Sequence, residues 1–183
     1  SADCYPDMYI MKTDADGNPE WTLIEASGNN NNDWARDVVQ TEDGNYVITG
    51  TWNDDGWNSK AALRKYNSSG ELMWAYTYTS SVANEAYEIL ETDEGDLVFA
   101  GYSGTQHGDY KFFIVKTDAD GNQIWKKAKS SIGDAILYSL CQAPDGGYIA
   151  ANFPIRRHSR LLGHIPREEG KGLIISKIED ISL

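Results

Sequence analysis

The 183-residue chain carries a formal net charge of −12, which argues against nucleic acid or an anionic membrane as the main partner, because both repel an acidic surface. With 40% hydrophobic and 11% aromatic residues it suits one folded domain, and no apolar run approaches the roughly 20 residues needed to span a bilayer. The first residues, Ser1-Ala2-Asp3-Cys4, show neither the basic start nor the apolar stretch of a signal peptide, while the acidic composition suits an extracellular or cell-surface protein.

The first element expected is an apolar run, Met8-Tyr9-Ile10-Met11, then Lys12-Thr13-Asp14-Ala15-Asp16-Gly17-Asn18, then Trp21. It reads as strand, glycine turn, strand: a partial hairpin, c–d, over 8–27. The next segment has another hairpin signature, a–b, with Val38-Val39 and Tyr46-Val47-Ile48-Thr49 flanking the acidic turn at Gly44. Acidic-Gly turns between β-prone runs are a strong hairpin signal. A degenerate c–d unit follows, Ala61-Ala62-Leu63-Arg64-Lys65, Asn67-Ser68-Ser69-Gly70 and Trp74, and closes a first repeat over 28–78.

The second repeat, 79–129, has its a–b turn at Gly95 and an identical Lys-Thr-Asp-Ala-Asp-Gly-Asn at 116–122 before Trp125. The third, 130–183, has its a–b turn at Gly146 and a c strand containing Ile174 and Ile175, but no last strand. Gly44, Gly95 and Gly146 lie 51 residues apart. About thirteen short strands and no convincing helix are expected.

Short antiparallel strands repeating four at a time at this period predict an all-β protein of the β-propeller type. One four-stranded blade cannot bury both faces alone, so equivalent positions of successive blades meet equivalent surroundings. The count is about three blades plus incomplete terminal strands, below the roughly four that a closed propeller needs.

The segment Asn67-Ser68-Ser69-Gly70-Glu71-Leu72-Met73-Trp74-Ala75-Tyr76 resembles the tryptophan-docking repeat of quinoprotein-type propellers and of the related outer-membrane assembly lipoprotein. The resemblance implies that Trp21, Trp74 and Trp125 dock between blades. Asp145-Gly146-Gly147-Tyr148-Ile149 resembles the Asp-Gly-Gly-Tyr propeller repeats of secreted bacterial and archaeal proteins. The resemblance covers nearly all of the chain except 153–172. It implies an architecture and leaves the activity open. A sialidase Asp box would place its aromatic residue three positions after the glycine; here it is four.

Asp14/Asp16 and Asp118/Asp120 offer alternating oxygens, as a calcium loop does. The middle copy, with Ser68-Ser69 at the matching place, points instead to a turn role. Trp52, Trp57, Tyr102 and Tyr110 lie in the looser b–c loops and are the ligand candidates, with carbohydrate the class suited to aromatic faces. No Ser/His/Asp grouping or phosphate loop is found, so no catalysis and no cofactor are expected, with calcium the one alternative. A basic insertion at 155–167, with Arg156, Arg157 and Arg160, breaks the acidic pattern and reads either as a mobile surface loop or as a contact with a partner, most simply an acidic face of another copy. Cys4 and Cys141 are either two thiols or a disulfide in an oxidising compartment. Asn67 heads a glycosylation sequon.

The functional expectation is a non-catalytic, extracellular structural protein. The strands containing Tyr9 and Ile10 at one end, and Ile174 and Ile175 at the other, would complete a blade with a neighbouring subunit in a homo-oligomer or filament. A glycan- or other ligand-binding propeller module is one alternative. A piece of a larger propeller is another.

Overall fold

The computed structural model describes residues 7–25, 32–53, 59–78, 83–104, 111–130, 134–155 and 174–178. These contain thirteen strands in four antiparallel sheets and no helix. The all-β expectation is met.

β1 (Met8–Thr13) and β2 (Pro19–Glu25) form the first sheet. The second holds β3 (Trp34–Gln40), β4 (Tyr46–Trp52), β5 (Lys60–Tyr66) and β6 (Leu72–Tyr78). The third holds β7 (Ala83–Glu91), β8 (Leu97–Gly104), β9 (Lys111–Thr117) and β10 (Gln123–Ser130). The fourth holds β11 (Asp134–Gln142), β12 (Tyr148–Ile155) and β13 (Ile174–Ile178). Each strand pairs with its neighbours in sequence, so every sheet is a meander, and among the described residues none closes into a barrel.

Burial shows how the sheets pack. In β4 and β8 the residues Val47 to Thr51 and Leu97 to Gly101 are buried on both faces, whereas β6 exposes Leu72, Met73 and Tyr76. The middle strands are therefore covered from two sides by neighbouring sheets. Val47, Leu63, Tyr78, Phe99, Phe113 and Val115 fill the junction between the second and third sheets. Val98, Ile114, Leu137, Leu140, Tyr148 and Ala150 fill the next one. The junction between the first and second sheets is smaller, built on Met8, Ile48 and Tyr66.

The repeated tryptophan joins one sheet to the next. The Trp21 indole N–H donates to the Ser68 carbonyl at 3.0 Å, and its ring meets Tyr46 edge-on at 6.0 Å. Trp125 meets Tyr148 in the same way at 5.9 Å. Gly70, with φ of +82°, lies beneath the Trp21 ring; a Cβ there would come within 2.9 Å of it. Gly121 lies likewise beneath Tyr76 and Trp74. At both positions glycine satisfies two demands, left-handed backbone and close approach of an aromatic ring.

The first strand of each of the three repeats carries a β-bulge at the same place: between Ala35 and Asp37, Ala86 and Glu88, and Leu137 and Ser139. A bulge leaves one backbone group out of the ladder. The preceding sheet supplies a partner nearby: Asp37 Oδ2 accepts from Ile89 N at 2.9 Å, and the Glu88 carboxylate takes a backbone hydrogen bond from Leu140.

Candidate functional site

The bulges bring a row of side chains to one place. Arg36, Tyr87 and Tyr138 occupy the same bulge position of β3, β7 and β11, each 51 residues from the next. The Tyr87 ring meets Tyr138 edge-on at 4.9 Å and stacks at 6.1 Å with Tyr102 of β8. The Arg36 guanidinium lies 4.8 Å from the centre of the Tyr87 ring and 4.9 Å from that of Trp34, and its Nη2 is 3.2 Å from Glu85 Oε2. The Tyr87 hydroxyl donates to the same carboxylate oxygen at 2.9 Å. Burial and then the Glu85 charge push the Tyr87 phenol above its ordinary value. The row offers aromatic faces beside a fixed cation and anion, with Tyr138 47% exposed at its end. Such a surface suits a polar ligand that has an apolar face.

A second feature is a groove of about 410 Å³ between the first and second sheets. Tyr9, Ile10 and Met11 of β1 form one wall, and Val38 and Tyr46 of the second sheet the other.

The ligand candidates read from the sequence divide. Tyr102 joins the aromatic row. Trp52 has one face under the Arg64 guanidinium at 3.6 Å, and Arg64 Nη1 is 2.9 Å from Glu25 Oε2. Tyr66 lies buried beside this pair, its phenol pushed up to about 12 by burial first and the Glu25 charge second. Trp52 is thus part of the packing between the first two sheets. Trp57, Tyr110, Arg156, Arg157, Arg160 and Cys4 lie outside the described residues. Cys141 is an exposed free thiol. Ile174 and Ile175 pair through their backbones with Asn152 and Ala151.

The duplicated acidic loops show their chemistry plainly. Asp14 Oδ1 accepts from the amides of Asp16 and Asn18, and Asn18 Nδ2 donates to Oδ2. Asp118 repeats this with Asp120 and Asn122. In the middle copy the Asn67 side-chain Oδ1 accepts from the amides of Ser69 and Glu71, and its Nδ2 donates to the Glu71 carboxylate. An amide and two carboxylates thus fill one turn role. The turn glycines Gly44, Gly95 and Gly146 all have positive φ.

Arg36, Glu85, Tyr87 and Tyr138 were not singled out from the sequence. Their signal was the same 51-residue period, carried by residues of unlike chemistry.

No protein-family model matches the chain, and no curated protein matches it. Among solved structures it is similar to a protein of unknown function from Bacteroides caccae, at 11% identity and a TM-score of 0.48. That match takes in 82% of this chain and 51% of the other, so the chain spans about half the length of the Bacteroides protein.

The charged groups set a pH window. Asp43 is held well below the usual carboxylate value by Lys65 first and Thr41 second, and Asp14 and Asp118 are lowered chiefly by Asn18 and Asn122. A lowered carboxyl contributes stability that is complete above its unfolded value of about 4 and is lost as pH falls through the folded value. Tyr66, Tyr78 and Tyr87 are raised by burial, and Lys116 by Asp96. Their contribution is complete below about 10 and is lost as pH rises through the folded values. Urea denaturation should show a plateau between these limits, with Asp43→Asn flattening the acid limb. An acid limb unchanged in Asp43→Asn contradicts the assignment.

Proposed function

We propose that this is a non-catalytic repeat protein of the β-propeller type that assembles with copies of itself outside the cell, its first hairpin completing a blade with strands of a neighbouring subunit. One repeat position carries the reading. Ile89 and Leu140 are buried, at 5% and 6% exposure, against the sheets that precede theirs. Val38, the same position one repeat earlier, is 56% exposed. The sheet that precedes it has two strands where theirs have four. Among the described residues, nothing covers Val38 as the inner strands of a full sheet cover its counterparts.

The contact would be heterologous, one surface of a copy against a different surface of the next, and such contacts either close into a ring or run on as a filament. Each copy would supply the equivalent of three blades, so two copies would make six, within the roughly four to eight seen in closed propellers. Sedimentation across a dilution series should show dimers or larger species that dissociate on dilution. Val38→Asp should weaken association by roughly tenfold or more, since burying one such side chain is worth about 1.5 kcal/mol. A monomer at every concentration contradicts the proposal.

A second reading, a carbohydrate-binding module, is favoured by the row of Tyr87, Tyr102 and Tyr138 beside Arg36 and Glu85. Glycan-array binding that is lost in Tyr138→Ala supports it. An array on which the unmodified protein binds nothing counts against it.

A further inference from the structure

The following inference rests on the self-association reading and names the strands that meet. We propose that β1 of one copy pairs with β12 of a second copy, in the place β13 occupies, so that β11 and β12 of that copy join β1 and β2 in one four-stranded sheet.

Lys65 pairs with Val47, Lys116 with Val98 and Lys177 with Ile149, and these three partners lie 51 residues apart. β5, β9 and β13 are therefore the same strand of the repeat. Lys12 opens the same turn motif as Lys116, so β1 is a fourth example. Among the described residues β1 has only β2 as a hydrogen-bonded neighbour, so the edge that β5, β9 and β13 give to the strand before them remains open.

The turn after the strand separates β1 from β13. Lys12, Lys65 and Lys116 are each followed five residues on by glycine, at 17, 70 and 121, and by a tryptophan at 21, 74 and 125. The residue five after Lys177 is Ser182. β1 thus brings with it the glycine turn and the tryptophan strand, and β13 is not followed by that turn glycine.

Three surfaces then find their repeat partners at once. First, Tyr9 and Met11 are 58% and 49% exposed, while Phe113 and Val115, the matching residues of β9, are at 0%. With β1 seated on β12 of a second copy, both would face that copy's third sheet. Second, a Cβ at Gly17 would have nothing within 4 Å, whereas Gly70 and Gly121 each lie beneath aromatic rings of the preceding sheet. Trp125 already rests edge-on against Tyr148 at the start of β12, as Trp21 does against Tyr46. The exchange sets Gly17 of one copy under Trp125 of the other. Third, β11 of the second copy would lie over β3 and fill the groove at Val38. Ser139, the residue after its bulge, would stand where Asp37 and Glu88 stand at the other two junctions.

The exchange is nearly balanced in backbone hydrogen bonds, because β1 takes up pairings that β13 gives up. The surplus comes from apolar area covered at Tyr9, Met11 and Val38. The register follows from the lysines: Lys12 opposite Ile149, Met11 opposite Ala150, Ile10 opposite Ala151.

The test uses the full chain with Cys4→Ser and Cys141→Ser as background. Met11→Cys and Ala150→Cys are added together; residues directly opposite in a ladder bring their Cβ atoms to about 5 Å. Mild oxidation should then link most chains to one another on a non-reducing gel, while Met11→Cys with Ile149→Cys, one position out of register, should link them at least tenfold less. Ile10→Cys with Ala151→Cys reports the same register from the other face, should the first pair disturb folding. Disulfides that form within single chains overturn the inference. Oligomers that form without cross-linking by either in-register pair also overturn it, while leaving self-association intact. A monomer that does not cross-link overturns both.

Discussion

A carboxylate beside the bulge of one sheet, reaching a backbone amide of the next, holds these sheets in line. Asp37 reaches Ile89, and Glu88 reaches Leu140. Burial and the nearby Asp37 charge raise the Glu88 carboxyl, so the group enters this role against a desolvation cost that the backbone hydrogen bond offsets. At the first full repeat, among the described residues, no carboxylate of the two-stranded sheet takes this part, and the Val38 amide turns to its own neighbour, Asp37 Oδ1, at 2.8 Å. One residue thus shows both the rule and its local substitute.

The outer strands add a second coupling of the same kind. Trp21 and Trp125 each lie against the start of the next sheet's second strand, and Gly70 and Gly121 lie beneath aromatic rings of the sheet before theirs. Both couplings run one way along the chain. Among the described residues no turn glycine lies beneath Trp125, and nothing lies within 4 Å of where a Cβ at Gly17 would be. These two unmatched groups are the physical ground for proposing that copies join head to tail. The net charge of −12 opposes this through mutual repulsion, so the assembly surface has to be largely apolar, as Tyr9, Met11 and Val38 make it.

Much of the fold was legible because repetition forces like residues into like surroundings. The turn glycines and the doubled heptapeptide mark strand boundaries in the structure, and the tryptophans fall at the same place inside β2, β6 and β10. The two acidic loops were legible for another reason: their Asn67 counterpart has no charge, so the shared feature had to be the turn. The aromatic row was harder, since Arg36, Tyr87 and Tyr138 share a period but no chemistry, and the pattern becomes a surface only once three bulges align them. Trp52 was read as a loop aromatic; its partner Arg64 belongs to a strand, and nothing local in the sequence pairs the two. The exposure of Val38 depends on how many strands the preceding sheet holds, which no property of Val38 itself reveals.

Amide hydrogen exchange, followed residue by residue over a range of protein concentrations, tests the central claim most directly. If copies join through β1 and the groove beside it, the amides of Tyr9, Ile10, Met11 and Val38 gain protection as concentration rises, while those of Ile89 and Leu140, already held within one chain, do not change. Protection at β1 and Val38 that is the same at every concentration would contradict the account.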